Sequence, residues 1–242
     1  MDQKYAVVTG ADRGLGLELA LGLVRSGFTV FAGQYLLDWH ELEEAEKAYP
    51  GQLLPLLLDV GSSTGVKRAA ETVRETTDRI DLLLNNAAVV DPANAGKTIE
   101  SPLDFGSMLQ TYNVTALGAL RTAHAFMPLL LNGSGKLIVN ISSEAGSLSQ
   151  SWRSSGYAYC MGKAALNMHS TITYNKIRDL GGHVLNLHPG WVQGRLGGKL
   201  NAEADLTPEF SASQLLPIIL RYRTYQTNKP AYLNWLGQDL SY

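Results

Sequence analysis

Seven short apolar runs punctuate the chain: "YAVVTG", "FTVFAG", "LLPLLLDV", "IDLLLNNAAV", "GKLIVNIS", "HVLNLHPG" and "AYLNW". Their apolar positions are continuous rather than alternating, the pattern of strands buried on both faces of a parallel sheet. Between them lie helix-length segments at 14–25, 40–48, 63–79, 103–131, 156–180 and 208–223. Strand and helix in steady alternation predict right-handed crossovers, hence a doubly wound α/β fold with a seven-stranded, mostly parallel sheet and helices on both faces. No internal repeat, low-complexity tract or long linker divides the chain, so a single domain over 1–242 is expected. The stretches 91–98 and 193–206 read as loops at the rim of the sheet, and ligands in such sheets bind beyond the carboxyl ends of the strands.

Composition narrows the function. A 45% hydrophobic content can fill a sizeable core, and a net charge of -2 without any Lys/Arg-rich block leaves no electrostatic footprint for nucleic acid. The longest apolar runs are too short to span a bilayer, and the first residues carry no secretory-signal pattern, so no membrane contact and a cytoplasmic location are expected. Cys160 is the only cysteine, which rules out an intramolecular disulfide, and the five histidines lack metal-site spacing, so no metal is expected.

The first loop, "VVTGADRGLGLELA", sets Gly10, Gly14 and Gly16 between the first strand and first helix. Glycines there allow a tight turn and let backbone N–H groups approach a pyrophosphate at the positive helix end, so a dinucleotide is the expected ligand. At the end of the second strand, where an acidic residue would hold a ribose 2'-OH, stand Gln34 and Tyr35. Arg13 inside the loop suits a 2'-phosphate, which favours NADP(H) over NAD, with NAD still open. After the third strand, Asp59 is placed to accept from an adenine amino group and Val60 to pack beside the ring. After the fourth, Asn85 and Asn86 are placed to tie strand ends together.

Two tyrosines precede a lysine in "SSGYAYCMGKAALN". Tyr159 and Lys163 are i and i+4 and share a helical face, whereas Tyr157 lies six residues from the lysine and does not. A nearby ammonium favours phenolate, so Tyr159 is the candidate to exchange a proton with an alcohol or carbonyl. The chemistry needs a hydroxyl at a strand end, for which "GKLIVNISSEAG" offers Ser142 and Ser143.

With these motifs in order, the sequence resembles the short-chain dehydrogenases/reductases over nearly its whole length. Thr9 to Gly16 looks like TGxxxGxG, Asn85 to Ala88 resembles NNAG, Tyr159 to Lys163 matches YxxxK, and "HPGWV" resembles the PG motif after the sixth strand. The resemblance implies a Rossmann fold and an NADP-dependent oxidoreductase interconverting a carbonyl and an alcohol. It assigns Ser143 as catalytic serine, Tyr159 as general acid/base, Lys163 as the ribose-holding group that lowers the tyrosine pKa, and Asn113 as the residue that orients a relay water. It implies cofactor contacts from Gly10, Asp12, Arg13, Gly14, Leu15, Gly16, Asp59, Val60, Asn86, Ala87, Tyr159, Lys163, Pro189, Gly190 and Val192. A small-molecule carbonyl or alcohol substrate and a homodimer or homotetramer also follow by analogy. Within the family, "YAYCMGKAALN", "LHPGWVQGRLGG" and sixteen residues from Ser143 to Tyr159 look like the carbonyl reductases related to sniffer and the bacterial C-factor. Ala88 replaces the last glycine of NNAG, Gly194 stands where that subgroup has threonine, and Arg195 where an acid is common. Leu148, Trp152 and Arg153 are expected on the pocket wall. The alternative reading is a nucleotide-binding sensor or signalling protein with little or no turnover.

Overall fold

The computed structural model describes residues 3–37, 39–194, 200–225 and 227–242. Seven strands form one sheet in the order β3-β2-β1-β4-β5-β6-β7: β1 (Lys4–Val8), β2 (Phe28–Gln34), β3 (Leu53–Leu57), β4 (Leu82–Asn85), β5 (Leu137–Ile141), β6 (His183–His188) and β7 (Ala231–Asn234). Every pairing is parallel. The order reverses direction between β1 and β4, which opens a crevice at the carboxyl ends of those strands.

Alternate residues of the inner strands feed two separate apolar layers. Ala6, Val8, Leu82, Leu84, Leu137 and Val139 face one layer, completed by α1 (Gly14–Arg25) and α7 (Pro208–Leu220). Val7, Leu83 and Ile138 face the other, completed by α3 (Ser63–Thr76) and the helix ending at Asn132. Burial on both faces is why these strands read as unbroken apolar runs. Pro55 is tolerated in β3 because that strand lies at the sheet edge and pairs only with β2.

Four helical segments differ from the pattern-based limits by more than one residue, the last of them, expected over 208–223, ending at Leu220. The third stops at Thr76, since Thr77 is extended and its hydroxyl bonds the Arg79 backbone. The segment expected over 103–131 starts at Phe105, where Asp104 caps it by accepting from Ser107 N at 3.1 Å. It then divides into α4 (Phe105–Tyr112), a π turn (Asn113–Gly118) and α5 (Ala119–Asn132). The segment expected over 156–180 is α6 (Tyr157–Ile177) closed by a tight turn at 178–180. The remaining helix, α2, is Glu41–Ala48.

The expectation that no segment is long enough to cross a bilayer needs correction. The stretch Phe105–Asn132 is long and apolar enough by those criteria, because the π turn joins two helices end to end. Half of its most apolar window is buried inside the protein, as in a core helix.

Candidate active site

The glycine loop is a backbone cradle. Gly10 and Gly14 have φ of +62° and +56°, and an added Cβ on Gly16 would stand 2.0 Å from the Gly10 carbonyl oxygen. That close approach draws the loop over the start of α1, whose N-cap, Arg13, supplies no capping side chain. The first N–H groups of α1 find no acceptor in that side chain, and such a helix start could hold an anion. Thr9 and Asn86 lock the cradle from behind. Asn86 Nδ2 donates to the carbonyls of Thr9 (3.1 Å) and Gly10 (2.9 Å), and the N–H groups of Asn86 and Ala87 both donate to Thr9 Oγ1 at 3.0 Å. Gly10 packs directly on Ala87, and Leu15 packs into the apolar layer beneath.

Arg13 turns toward the end of β2. Its Nη1 donates to buried Asp12 at 3.2 Å, Asp12 also accepts from Leu36 N at 3.4 Å, and the guanidinium lies 4.7 Å over the Trp39 ring. Pattern reading passed over Trp39, which comes to Arg13 only when the chain beyond β2 folds back. Gln34 donates to the Leu36 carbonyl. After β3, Asp59 Oδ1 accepts from Gly61 N at 2.8 Å, and Val60 is buried against Gly118.

Asn85 does tie strands together. Its amide donates to Asn140 Oδ1 at 2.8 Å and its oxygen accepts from Thr122 at 2.6 Å, while Asn140 passes on to Ser170 and Asn186. This polar ladder crosses β4, β5 and β6 inside the core, and Asn140 and Asn186 carry no sequence signal that separates them from ordinary strand residues.

The chemical groups gather at the end of β5. Lys163 is buried, and its Nζ donates to the Ile141 carbonyl at 2.6 Å and lies 5.6 Å from the Tyr159 ring centroid. Burial lowers the Lys163 pKa to about 8. Burial also pushes the Tyr159 phenol above its ordinary value, with a hydrogen bond to Ser143 opposing the rise and the Glu144 carboxylate adding to it. Desolvation by the surrounding protein therefore outweighs the Ser143 hydrogen bond and the Arg153 charge, the two influences that favour phenolate.

Ser142 and Ser143 part company after the strand. Ser142 donates to Asn167 Oδ1 at 2.7 Å on α6, whereas Ser143 donates to Glu144 Oε2 at 2.6 Å, and Tyr232 of β7 donates to the Ser143 carbonyl. Arg153 pairs with the other oxygen of Glu144 and stacks 5.0 Å from Trp152, while His188 Nδ1 lies 3.6 Å from Glu144 Oε2. Desolvation works to raise the Glu144 pKa, but hydrogen bonds from Ser143 and Arg153 outweigh it and hold the carboxyl below its ordinary range. Burial holds His188 low against the pull of Glu144. Glu144 and His188 were missed because their meeting depends on the turn after β5 lying beside the end of β6.

Asn113 does not face this group. Its Nδ2 donates to the Gly61 carbonyl at 3.1 Å, and its oxygens accept from Arg121. Tyr157 is half-buried at the start of α6. Leu148 and Trp152 are exposed. Beyond β6, Gly190 has φ +83° and packs on Leu206 and Trp235, and the Pro189 carbonyl accepts from Ser211 at 2.7 Å. Val192 bridges to Leu206, whose carbonyl accepts from Gln193 N at 2.8 Å, and the Gly194 carbonyl accepts from Asn201 N. Arg195 lies outside the described residues.

A doubly wound sheet with a glycine cradle at its switch point, and a serine, tyrosine and lysine at the next strand end, defines a class of α/β protein. Comparison with known proteins names the family. The family model described as short chain dehydrogenase matches residues 4–205. An uncharacterised oxidoreductase of Schizosaccharomyces pombe is 32% identical over 232 residues, spanning 89% of this chain and 90% of the relative. The crystal structure of NADPH-bound carbonyl reductase from chicken fatty liver has a TM-score of 0.86 at 28% identity, with both chains covered in full. The carbonyl reductase Sniffer of D. melanogaster shares the fold, with a TM-score of 0.87 at 24% identity and both chains covered in full. The chain belongs to the short-chain dehydrogenase family, and it is an oxidoreductase of that family.

Proposed function

We propose that the protein is a single-domain NADP(H)-dependent oxidoreductase that interconverts a small-molecule carbonyl and its alcohol, with Tyr159 as general acid/base. The observation that carries this reading is the convergence of Ser143, Tyr159 and Lys163 at the end of β5, with only β4 between it and the strand that leads into the glycine cradle. When bound, the nicotinamide cofactor supplies the hydride for reduction or accepts it in oxidation.

The uncapped start of α1, with Gly10, Asp12, Gly14, Leu15 and Gly16 around it, suits a pyrophosphate, and Arg13 suits a 2'-phosphate. Asp59, Val60, Asn86 and Ala87 line the adenosine side, and Pro189, Gly190 and Val192 the other end. The NADPH-bound chicken reductase supports the same choice of cofactor. Tyr159, held as a phenol, gives its proton to the carbonyl oxygen as negative charge develops there, and Ser143 donates a hydrogen bond to the same oxygen. Lys163 steadies the phenolate that remains and is placed to meet a ribose.

Exposed apolar side chains on α4 and α6, among them Phe105, Leu109, Met168 and Ile172, favour a homodimer or homotetramer. With Cys160 as the lone thiol, the cytoplasm is the fitting compartment.

The test is a panel of aldehydes, ketones and alcohols followed at the nicotinamide absorbance, first with the parent and then with Tyr159→Phe. The variant is expected to bind NADPH normally and lose on the order of a thousandfold in turnover. Full turnover by Tyr159→Phe would remove the assignment.

A further inference from the structure

Arg121, in the first turn of α5, is a cation that the proposed chemistry does not use. Its Nη1 donates to the carbonyls of Val60 (3.1 Å) and Asn113 (3.0 Å), and its Nη2 donates to Asn113 Oδ1. Asn113 Nδ2 completes the ring by donating to the Gly61 carbonyl at 3.1 Å. One guanidinium thus ties the loop after β3 to the first residue of the π turn, and both oxygens of Asn113 are engaged by it.

The surroundings make this junction tight. An added Cβ on Gly61 would stand 3.4 Å from Asn113 Nδ2, and one on Gly118 would stand 2.9 Å from Val60 Cγ2, so both ends of the turn press on the same loop. On its other side the turn meets α6, where Gly162, next to Lys163, lies against Thr115. A π turn distorts the regular backbone hydrogen-bond ladder, and a fixed cation is a strong way to hold the Asn113 carbonyl in place.

We propose that Arg121 is a positioning residue that clamps the adenine-side loop, Asp59 to Gly61, onto the π turn. Asn113 serves it as a strut rather than as a member of a proton relay. The inference rests on reading Asp59 and Val60 as the adenine side of the cofactor site. Loss of the clamp frees that loop, so it weakens binding of the adenosine half and leaves the proton-transfer step at Tyr159 largely intact.

The experiment uses the full chain with Arg121→Met and Arg121→Lys. It reads the Kd of NADPH by fluorescence, the Kd of adenosine 2',5'-bisphosphate by calorimetry, melting temperature, and kcat on any carbonyl the parent reduces. Arg121→Met is expected to weaken both ligands by about tenfold, the scale of a lost charged hydrogen bond, with kcat within about threefold of the parent. Arg121→Lys should recover part of the affinity, since an ammonium reaches one carbonyl but not the whole set. A folded Arg121→Met that binds the bisphosphate as the parent does overturns the clamp. So does a fall in kcat with unchanged affinity and an altered solvent isotope effect, which would return Asn113 to a relay. If Arg121→Met does not fold, the same readings on Arg121→Lys decide, because parental affinity there rejects the clamp. If the parent binds NADPH but not the bisphosphate, the adenine-side reading fails and the clamp falls with it, while the assignment of Tyr159 stands.

Discussion

Ser143 donates its hydroxyl proton to Glu144 at 2.6 Å, so the group expected to steady a reacting oxygen is turned toward the protein's own carboxylate. Arg153 holds the second oxygen of that carboxylate, and a substrate oxygen that takes the Ser143 proton must displace Glu144. Glu144→Ala is therefore expected to raise kcat/KM by about fivefold, a fraction of a charged hydrogen bond. Because Glu144 also raises the Tyr159 phenol, the rising limb of alcohol oxidation should move to lower pH in the variant. Steady-state rates across pH check both, and a lower kcat/KM would show that the carboxylate works with the serine.

Lys163 sits at about 8 in the folded protein, against 10.5 for the free group. Between those values the unfolded chain binds a proton that the folded one lacks, so stability rises with pH across the window and the full penalty remains below it. The span amounts to roughly 3 kcal/mol. Lys163→Met should flatten that rise in denaturant melts between pH 7 and 10.5, and should lose turnover. An unchanged slope would place the lysine in contact with water.

His169 on α6 is buried with no hydrogen-bond partner on either ring nitrogen among the described residues, and burial lowers its pKa to about 4 from 6.5. The unfolded chain takes up the proton first as pH falls, so the native state loses roughly 3 kcal/mol on passing from 6.5 to 4. His169→Leu is expected to remove that part of the acid lability. Urea midpoints at pH 7, 5.5 and 4 measure it.

Arg13 stacks on Trp39 and is anchored by Asp12, which fixes a guanidinium at the end of β2. Arg13→Leu should cost tenfold or more, about 1.4 kcal/mol upward, in kcat/KM with NADPH and leave NADH nearly unchanged. Equal losses with both cofactors would mean that Arg13 does not meet a 2'-phosphate.

Much of the architecture was legible because local chemistry and burial agree along the chain. "YAVVTG" and "IDLLLNNAAV" are apolar at successive positions, and the strands they form bury both faces. Tyr159 and Lys163 share a face by helical spacing alone, which separates Tyr159 from Tyr157. The π turn was not legible, since it depends on Gly118 closing on Val60 and on Arg121 reaching across 61 residues to the Val60 carbonyl. The desolvation that raises the Tyr159 phenol was not legible either, because helical spacing carries no information on how much water the phenol loses when the elements pack.

By itself the sequence determined the order of strands and helices, the glycine cradle and the identity of the chemical side chains, all of which rest on near-neighbour spacing and periodicity. Tertiary structure decided which distant groups share a charge. It placed Glu144 with Arg153 and His188, Arg13 with Trp39, and Asn113 with Arg121 rather than with Tyr159. The physical reason is that hydrogen bonding and desolvation act over a few ångströms of space, and those distances exist only once the elements have packed.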